Sequence, residues 1–350
     1  YINLKKMLKK LLLYFSNHKY SEIGTINKNI QFGTFTFINL NKDFNLKKNK
    51  VLLCSYEGDS TFSSSSEYPV TESWVKVDNI SYGINDIFLY EQYKKIKETF
   101  NKKIIYHDEN IYLLPYYTSH FGHFSGDLLG QILYYIKNIS EINANAKLLI
   151  ITPSEKWDNF LYKFANNNIK IMKPNEALKT NHFFNNARVL PRIGTVQNYL
   201  LAKNILNTEI NSSEIPAKKI FLTTGRNDRI SNINEVKKKL FDEGFEIIIP
   251  NNYEIHELFH IIKSAKTLVT EKASILNNVN ILRDKKYFVL SSETEIELNM
   301  KLFLGAGIYK ELSRGIIHEI YCVDDPVDQK VRAFKKRIKV DMSKLLSIIR

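Results

Sequence analysis

Cysteine is scarce in this sequence, and long apolar runs are missing from it. The 350 residues include two cysteines, Cys54 and Cys322, and their separation fits no metal-binding motif. A single disulfide is compatible with the sequence, but so low a cysteine content favours a reduced, cytoplasmic setting. No apolar run reaches the length of a membrane span, and the sequence contains no secretory signal pattern. We therefore expect neither a disulfide-rich secreted domain nor an integral membrane protein.

Negative charge is also in short supply. Lys and Arg number 50 against 37 Asp and Glu, which gives a formal net charge of +13. Such an excess favours anionic partners: nucleic acid, a membrane surface, or nucleotide and phosphate ligands. Because no recognised nucleic-acid-binding motif is present, a basic nucleic-acid-binding protein stays an alternative and nucleic acid is not expected as a partner. Apolar residues make up 44% of the sequence, which is enough for one large or two medium-sized cores.

The sequence also lacks the usual short motifs for dinucleotides and metals. Gly305-Ala306-Gly307 is too short for a dinucleotide-binding fingerprint. The adjacent carboxylates Asp324 and Asp325 point different ways and have no further ligands nearby in sequence, so a turn is expected there. The sequence therefore predicts no metal site and no cofactor.

Both ends of the chain are basic and have a helical pattern. Residues 1–19 carry lysines beside an apolar face, which fits either a membrane-surface helix or an ordinary surface helix. The sequence opens on Tyr1, which fits a piece of a longer protein. Residues 327–350 carry eight Lys or Arg against two Asp. Their apolar positions approximate one face of a helix, namely Val331, Phe334, Ile338, Met342, Leu345 and Leu346.

The stretch from Lys218 to Leu282 alternates strand and helix patterns. This alternation predicts a parallel sheet with right-handed crossovers. Asn232 with Glu235 predicts a capping box for the first helix, and Gly244 is predicted as its C′ residue. The predicted strands are Ile220–Thr224, Glu246–Ile249 and Thr267–Thr270, and the helices are centred on the apolar sets Ile233, Val236, Leu240 and Ile255, Leu258, Phe259, Ile262.

Ligands bind such parallel sheets at the carboxyl ends of the strands, close to helix N-termini. Here that edge carries Arg226 and Arg229 after the first strand and the segment from Glu271 to Asn278 after the third. An Arg side chain grips a phosphate through two N–H groups at once. The edge is therefore predicted to bind a phosphate or diphosphate.

The N-terminal half repeats the alternation and is predicted to hold a sheet of its own. Residues 104–107 and 111–116, on either side of Asp108-Glu109-Asn110, are predicted to form a hairpin. Residues 58–67 are predicted as a loop, and the polar residues 207–217 as an interdomain linker. The remaining predicted strands are 51–55, 147–152, 169–172, 182–190, 286–291 and 316–323, and the remaining helices are one from Ser154, 196–206 and 293–304.

These patterns divide the chain into five parts. They are a basic amphipathic helix at 1–19, an N-terminal α/β domain at 20–206, the linker at 207–217, a C-terminal Rossmann-like domain at 218–326, and a basic C-terminal helix at 327–350.

A polar row begins the helix predicted after His120. Phe124, Leu128, Ile132 and Ile136 form an apolar row at a spacing of four residues, and His123 and Asp127 lie beside it. One helical turn would place the imidazole and the carboxylate on one face, where the carboxylate could act as a general base. The alternative is a structural His–Asp pair that caps and orients the turn, and spacing alone favours that alternative.

Two blocks of this sequence resemble glycosyltransferase family 61. The first is the aromatic-rich turn in HFGHFSGDLLGQILYYI, with His123 and Asp127 at the family's His and Asp positions. Where the family usually has His-Gly-Ala after the third strand, this chain has Glu271-Lys272-Ala273. The second block contributes Arg226, Arg229, Asn234–Glu235, Pro250, Ala265, Ala273 and Asn277.

The resemblance implies a GT-B-like α/β fold, in which two Rossmann-type domains face a cleft and a C-terminal helix crosses back over the first domain. It also implies metal-independent, inverting transfer of a sugar from a nucleotide-activated donor, UDP- or CMP-linked, to a glycan or lipid-linked glycan acceptor. In this interpretation Asp127 is the base and His123 supports it, while the donor is held by Arg226, Arg229, Glu271, Ser274 and Asn277.

By analogy, the resemblance places the enzyme in the cytoplasm at the inner membrane face, in capsule or lipopolysaccharide biosynthesis. The alternative enzyme is another GT-B-like transferase, such as a polysaccharide pyruvyltransferase, whose donor is not a nucleotide sugar.

Overall fold

The computed structural model describes fifteen segments of the chain. They are residues 49–57, 71–77, 80–82, 102–114, 124–142, 145–152, 154–165, 167–190, 195–210, 218–226, 229–271, 275–283, 285–292, 317–324 and 337–349. The predicted helices at 1–19 and 293–304, the loop at 58–67, His123 and Ser274 lie outside these segments. None of the helices within them is long and apolar enough to cross a membrane.

The first half of the described chain builds a mixed sheet with four helices after its fourth strand. Its strands are β1 (Asn49–Glu57), β2 (Thr71–Val77), β3 (Ile80–Tyr82), β4 (Ile104–Leu113), β5 (Lys147–Ile151), β6 (Ile169–Met172) and β7 (Asn181–Val189). A π-helix (Phe124–Leu128) leads directly into α1 (Leu129–Ile142), and α2 (Glu155–Tyr162), α3 (Pro174–Lys179) and α4 (Thr195–Glu209) follow.

The strand order of this sheet is β3-β2-β1-β7-β4-β5-β6. The strands from β7 to β6 are parallel, and β1 to β3 extend the sheet in antiparallel pairs. The hairpin predicted at 104–116 is wrong, because residues 104–113 form one strand that runs parallel to β7 throughout. Asp108-Glu109-Asn110 is absorbed as an irregularity in the register, and Asn185 donates a hydrogen bond to the Asp108 carboxylate there (2.6 Å).

The second half builds a nearly all-parallel sheet. Its strand order is β13-β12-β11-β10-β8-β9, and only the pairing of β13 with β12 is antiparallel. The parallel parts of the two sheets with their helices confirm the predicted α/β class and give two Rossmann-like units. The strands are β8 (Lys219–Leu222), β9 (Phe245–Ile248), β10 (Thr267–Glu271), β11 (Tyr287–Ser292), β12 (Ile317–Asp324) and β13 (Ile338–Lys339), and the helices are α5 (Ile233–Asp242), a short 3₁₀ turn (Pro250–Asn252), α6 (Ile255–Ser264), α7 (Ile275–Leu282) and α8 (Met342–Ile349).

The predicted apolar faces of α5 and α6 are confirmed, since all seven of their named side chains are buried. Gly244 follows the α5 C-cap with φ of +82°, as predicted for a C′ glycine. The capping box at Asn232 is wrong. Its side-chain amide donates to the Glu235 carboxylate (3.1 Å) but makes no capping bond to the helix backbone. It bonds the backbone of Val340, donating to the carbonyl (2.9 Å) and accepting from the N–H (3.0 Å).

The C-terminal segment differs from its prediction. Ile338 lies in β13 rather than in a helix, and α8 begins four residues later. The buried side chains of α8, Met342 and Leu345, lie in the core of the second sheet with Phe221 and Val236. The predicted crossing of this helix over the first domain is therefore wrong for the described residues.

The two sheets share one continuous apolar core. It includes Leu129 and Tyr199 from the first half and Leu222 and Val279 from the second. Two lysines bond across the same junction: Lys156 donates to the carbonyls of Asn251 and Tyr253, and Lys263 to those of Asn207 and Ile210. The division at 207–217 into two domains stays a prediction.

Arg283 joins the end of α6 to α7 and β11. Its side chain is buried and donates to the carbonyls of Ile262 (3.1 Å), Ala265 (2.8 Å) and Lys286 (3.0 Å). Burial lowers the pKa of this guanidinium to about 10, so it remains protonated at neutral pH. A charged donor is thus used to close the last turn of α6 and to fix the C-terminus of α7.

Close approach of α1 and α4 requires a glycine at position 130. A Cβ at this position would lie 1.9 Å from the backbone oxygen of Asn198 and 2.7 Å from the N of Ala202. Both neighbours are backbone atoms, so relief requires the two helices to move apart.

We therefore predict that Gly130→Ala lowers the free energy of unfolding by about 1–3 kcal/mol or more, as overpacked cores do. Gly244→Ala is the matched control, because nothing lies within 4 Å of a Cβ there and the cost is backbone strain alone. Urea denaturation of both variants checks this, and a Gly130→Ala protein as stable as wild type would contradict the helix packing.

Candidate functional site

The candidate site lies at the point in the second sheet where the strand order reverses. From β8 the chain goes to β9 on one side and then to β10 on the other, so β8 and β10 are neighbours at the switch point. In open parallel sheets, ligands bind at the carboxyl ends of the strands at such a point. The segments that follow these two strands begin at Thr223 and at Lys272.

Glu271 ends β10 at this edge and is only 1% exposed. Its Oε1 accepts hydrogen bonds from the Thr223 hydroxyl (3.0 Å) and from the backbone N–H of Thr224. Its Oε2 is also buried but has no hydrogen-bond partner. In this carboxylate one oxygen accepts two hydrogen bonds and the other accepts none. The second oxygen is therefore arranged to accept a hydrogen bond from a bound molecule.

The loop after β8 continues this network towards the predicted arginines. Gly225, at φ +72°, donates from its N–H to the Thr223 hydroxyl oxygen (3.0 Å). Arg226 is exposed and Arg229 half-buried, and the Arg229 N–H donates to the Arg226 carbonyl (3.3 Å). Arg226 lies two residues after Thr224, whose N–H bonds Glu271, whereas the Arg229 carbonyl accepts a hydrogen bond from the N–H of Ile338 in β13 (2.9 Å).

Lys237 adds a cation that sequence reasoning missed. A Cβ at position 225 would lie 3.3 Å from Lys237 Nζ, so the ammonium group lies over the loop that follows β8. Lys237 is the fifth residue of α5 and the first of three consecutive lysines. The sequence contains no pattern that distinguishes it from Lys238 or Lys239.

The helix after Glu271 carries two asparagines with different environments. Asn277, the predicted donor-binding residue, is partly buried and interacts with another residue of the protein. Asn278 is fully buried, and neither polar atom of its amide has a hydrogen-bond partner. Sequence reasoning preferred Asn277 on family resemblance, whereas a buried polar group without partners makes Asn278 the stronger candidate for a functional role.

Asp127 lies in the π-helix, where hydrogen bonds run from residue i to i+5 instead of i to i+4. The helix predicted here therefore begins with a π-helical turn at Phe124, while His123 lies outside the described residues and its pairing with Asp127 stays a prediction. The irregular turn is held by Asn198 of α4, which is fully buried. The Asn198 side chain donates to the carbonyl of Gly126 (2.7 Å) and accepts from the N–H of Gln131 (2.8 Å). Asn198 was missed because its role depends on a contact across 67 and 72 residues of sequence.

Two helices connect the π-helix with the carboxyl edge of the second sheet. Both α4 and α7 pack against the π-helix, and α4 also packs against α7. The π-helix that contains Asp127 thus packs against the helix that begins four residues after Glu271, and the proximity of the two carboxylates stays a prediction. In the described residues no three His, Cys, Asp or Glu side chains cluster to hold a metal ion.

The hydrogen bonds of Glu271 allow a direct test. We predict that Glu271→Ala lowers the free energy of unfolding by about 1–3 kcal/mol, because the Thr223 hydroxyl and the Thr224 N–H lose their buried acceptor. Thr223→Val removes one donor and keeps the Thr224 contact, so its effect should be smaller.

Urea denaturation measures both effects. Glu246→Ala, on the exposed face of neighbouring β9, is the control and should have a much smaller effect. Equal stability of wild type and Glu271→Ala would show that the two bonds do not form in solution.

Comparison with known proteins adds a family match. Residues 121–289 match the model of the Glycosyltransferase 61 family, over just under half of the chain. This range includes the π-helix, the loop of Arg226 and Arg229, and Glu271. No curated protein sequence matches the chain.

Two solved structures are similar to this chain. One is the bacterial iron-containing dodecameric glycosyltransferase TibC from enterotoxigenic E. coli H10407, at 12% identity and a TM-score of 0.30, over 71% of this chain and 74% of that one. The other is the dodecameric iron-containing heptosyltransferase TibC in complex with ADP-D-beta-D-heptose, at 11% identity and a TM-score of 0.29 with the same coverage.

The family match confirms the resemblance drawn from the two sequence blocks, and it supports a glycosyltransferase enzyme. Residues 121–289 of this chain thus resemble glycosyltransferase family 61.

Proposed function

We propose that this protein transfers a sugar from a nucleotide-activated donor to a hydroxyl of a glycan acceptor, with inversion at the anomeric carbon. The observation that carries the proposal is the buried carboxylate of Glu271, open at Oε2, at the switch point of a Rossmann-like sheet. The family match over the same residues supports it. Donor binding is assigned to this edge because nucleotides bind such sheets at the carboxyl ends of their strands.

In the proposed complex the donor's phosphates lie along the loop after β8. Arg226 and Arg229 supply charge-assisted hydrogen bonds, and the N-terminal end of α7 adds its positive dipole. These groups would bind the donor and stabilise the negative charge that grows on the leaving nucleotide as the glycosidic bond breaks. Glu271, with Ser274 and Asn277 nearby in sequence, would accept or donate hydrogen bonds to ribose or sugar hydroxyls.

The acceptor is proposed to lie on the side of the π-helix. In a single displacement the acceptor oxygen attacks the anomeric carbon, the bond to the leaving phosphate breaks, and one base removes the acceptor's proton. Asp127 is assigned as that base, with His123 orienting it. Support comes from the packing of the π-helix against α7, which follows the donor edge directly. Metal-independent transfer remains part of the proposal.

The proposed setting is the inner membrane face, where a basic enzyme would meet a lipid-linked glycan of capsule or lipopolysaccharide biosynthesis. The net charge of +13 is the feature that favours an anionic surface. UDP and CMP are the first nucleotides to test, with ADP and GDP alongside, because the sequence does not distinguish the base.

Nucleotide binding tests the donor site. A nucleotide at a hundredfold its dissociation constant should stabilise the protein by about 2.7 kcal/mol, which a thermal-shift screen detects. For the nucleotide that binds, Arg226→Ala and Arg229→Ala should each raise the dissociation constant about tenfold to a hundredfold, because each loses a charge-assisted bond.

Lys238→Ala is the matched control for loss of charge. It removes a cation from the exposed surface of α5 in the same unit, and affinity should stay within about twofold of wild type if only the arginines contact the phosphates. Unchanged affinity in both arginine variants would mean that the phosphates bind elsewhere.

The catalytic assignment of Asp127 is tested by separating rate from stability. Asp127→Asn should lower the transfer rate by about 10²–10⁴ and leave donor affinity nearly unchanged, because asparagine keeps the size of the side chain but takes no proton. If the side chain only caps the turn, the variant should instead lose about 1 kcal/mol of stability and keep its turnover.

Both quantities should be measured on one preparation, with the transfer rate at saturating donor and the melting temperature alongside. Asn198→Ala is the informative companion, since it disturbs the π-helix without removing a carboxylate. A folded Asp127→Asn protein with wild-type turnover would contradict the assignment of Asp127 as the general base.

A further inference from the structure

Helix α6, which follows the carboxyl end of β9, carries two histidines one turn apart that the proposed transfer does not use. His256 and His260 are both partly buried, and their Nε2 atoms lie 3.2 Å apart. The ring centroids are 4.4 Å apart and the ring planes make an angle of 67°. Residues four apart on an α-helix share a face, so the backbone itself holds the two imidazoles together.

This separation fits two ligands of one metal ion. With metal–nitrogen distances of about 2.0–2.1 Å, tetrahedral geometry places two nitrogens roughly 3.3–3.4 Å apart, and a right-angled octahedral pair about 2.9 Å apart. The observed 3.2 Å lies between these values. We propose that His256 and His260 form a two-imidazole site for a first-row transition-metal cation such as Zn²⁺, with water in the remaining coordination positions.

The chemistry of the two side chains limits the choice of cation. Imidazole nitrogens suit zinc, copper and nickel better than calcium or magnesium, which prefer oxygen ligands.

The charges around the pair are mixed. Glu254 and Glu257 lie in the first turn of α6, and Lys156 and Lys163 face it from α2 and the residue after it. Lys156 is held by the carbonyls of Asn251 and Tyr253, whereas Lys163 acts on His256 directly. Lys163 should therefore weaken binding of a dication, and its removal should strengthen it.

The site is open rather than enclosed. His256 lines a groove between α2 and α6 with Asn159, Phe160 and Lys163, so solvent reaches it. No third His, Cys, Asp or Glu completes a metal cluster among the described residues. Closed structural zinc sites use four protein ligands, so this pair predicts a cation that exchanges and keeps open positions. The simpler alternative is that the two rings only share a hydrogen bond.

The test is titration of ZnCl₂ into the tag-free, chelator-treated full chain, followed by calorimetry. We expect one saturable site that releases protons on binding in proportion to the fraction of imidazolium, and a dissociation constant at least tenfold weaker in His256→Gln and in His260→Gln. Lys163→Gln should bind more tightly than wild type. The circular dichroism spectrum and melting temperature of each variant show whether it is folded.

Two results would overturn the proposal. One is the absence of saturable Zn²⁺ binding by the wild-type chain. The other is wild-type affinity in both histidine variants, which would assign the cation to another part of the protein. A Cu²⁺ spectrum with nitrogen couplings from two imidazoles in the wild type, lost in either folded variant, would support the pair as ligands without relying on affinity.

Discussion

The side-chain amide of Asn198 holds the turn on which the geometry of the site depends. It accepts a hydrogen bond from the N–H of Gln131 and donates one to the carbonyl of Gly126. The irregular start of the helix would otherwise leave these two backbone groups without hydrogen-bond partners. Gly130 permits this approach, because a Cβ there would overlap the backbone of Asn198. The same helix, α4, packs against α7, so the position of the π-helix and that of the donor edge are fixed by one element.

A second constraint concerns the carboxylate of Glu271. Burying a carboxyl group is costly unless hydrogen bonds replace those it makes to water, and Thr223 and Thr224 bond only one of its oxygens. A purely structural role would favour partners at both oxygens. The open Oε2 at a strand's carboxyl end is the kind of local inconsistency that functional sites retain, because a ligand completes it.

Local pattern was enough to predict the elements between Lys218 and Leu282, and it failed where distant residues compete. Ile233, Val236 and Leu240 mark α5 because helical periodicity alone decides their burial. Asn232 also has the local pattern of a helix cap, yet its side-chain amide hydrogen-bonds the backbone of Val340, more than a hundred residues away. The 104–116 segment likewise reads as a hairpin until β7 pairs with both of its halves. The carboxyl edge after β8 and β10 was predictable from topology, and the roles of Arg226, Arg229 and Glu271 there stay predictions. Asn198 was not predictable, since nothing in its neighbouring residues reports its partners in another element.

The shared core limits how the two units can move. Apolar side chains from both sheets, Leu129 and Val279 among them, lie in one cluster, and Lys156 and Lys263 bond across the junction. Separating the units would expose this surface and leave the lysine-bound carbonyls without donors, so large opening motions are unfavourable. The π-helix and the carboxyl edge of the second sheet are therefore held in one relative position by this packing. Such preorganisation is what a single displacement needs, because acceptor, base and anomeric carbon must align within a fraction of an ångström.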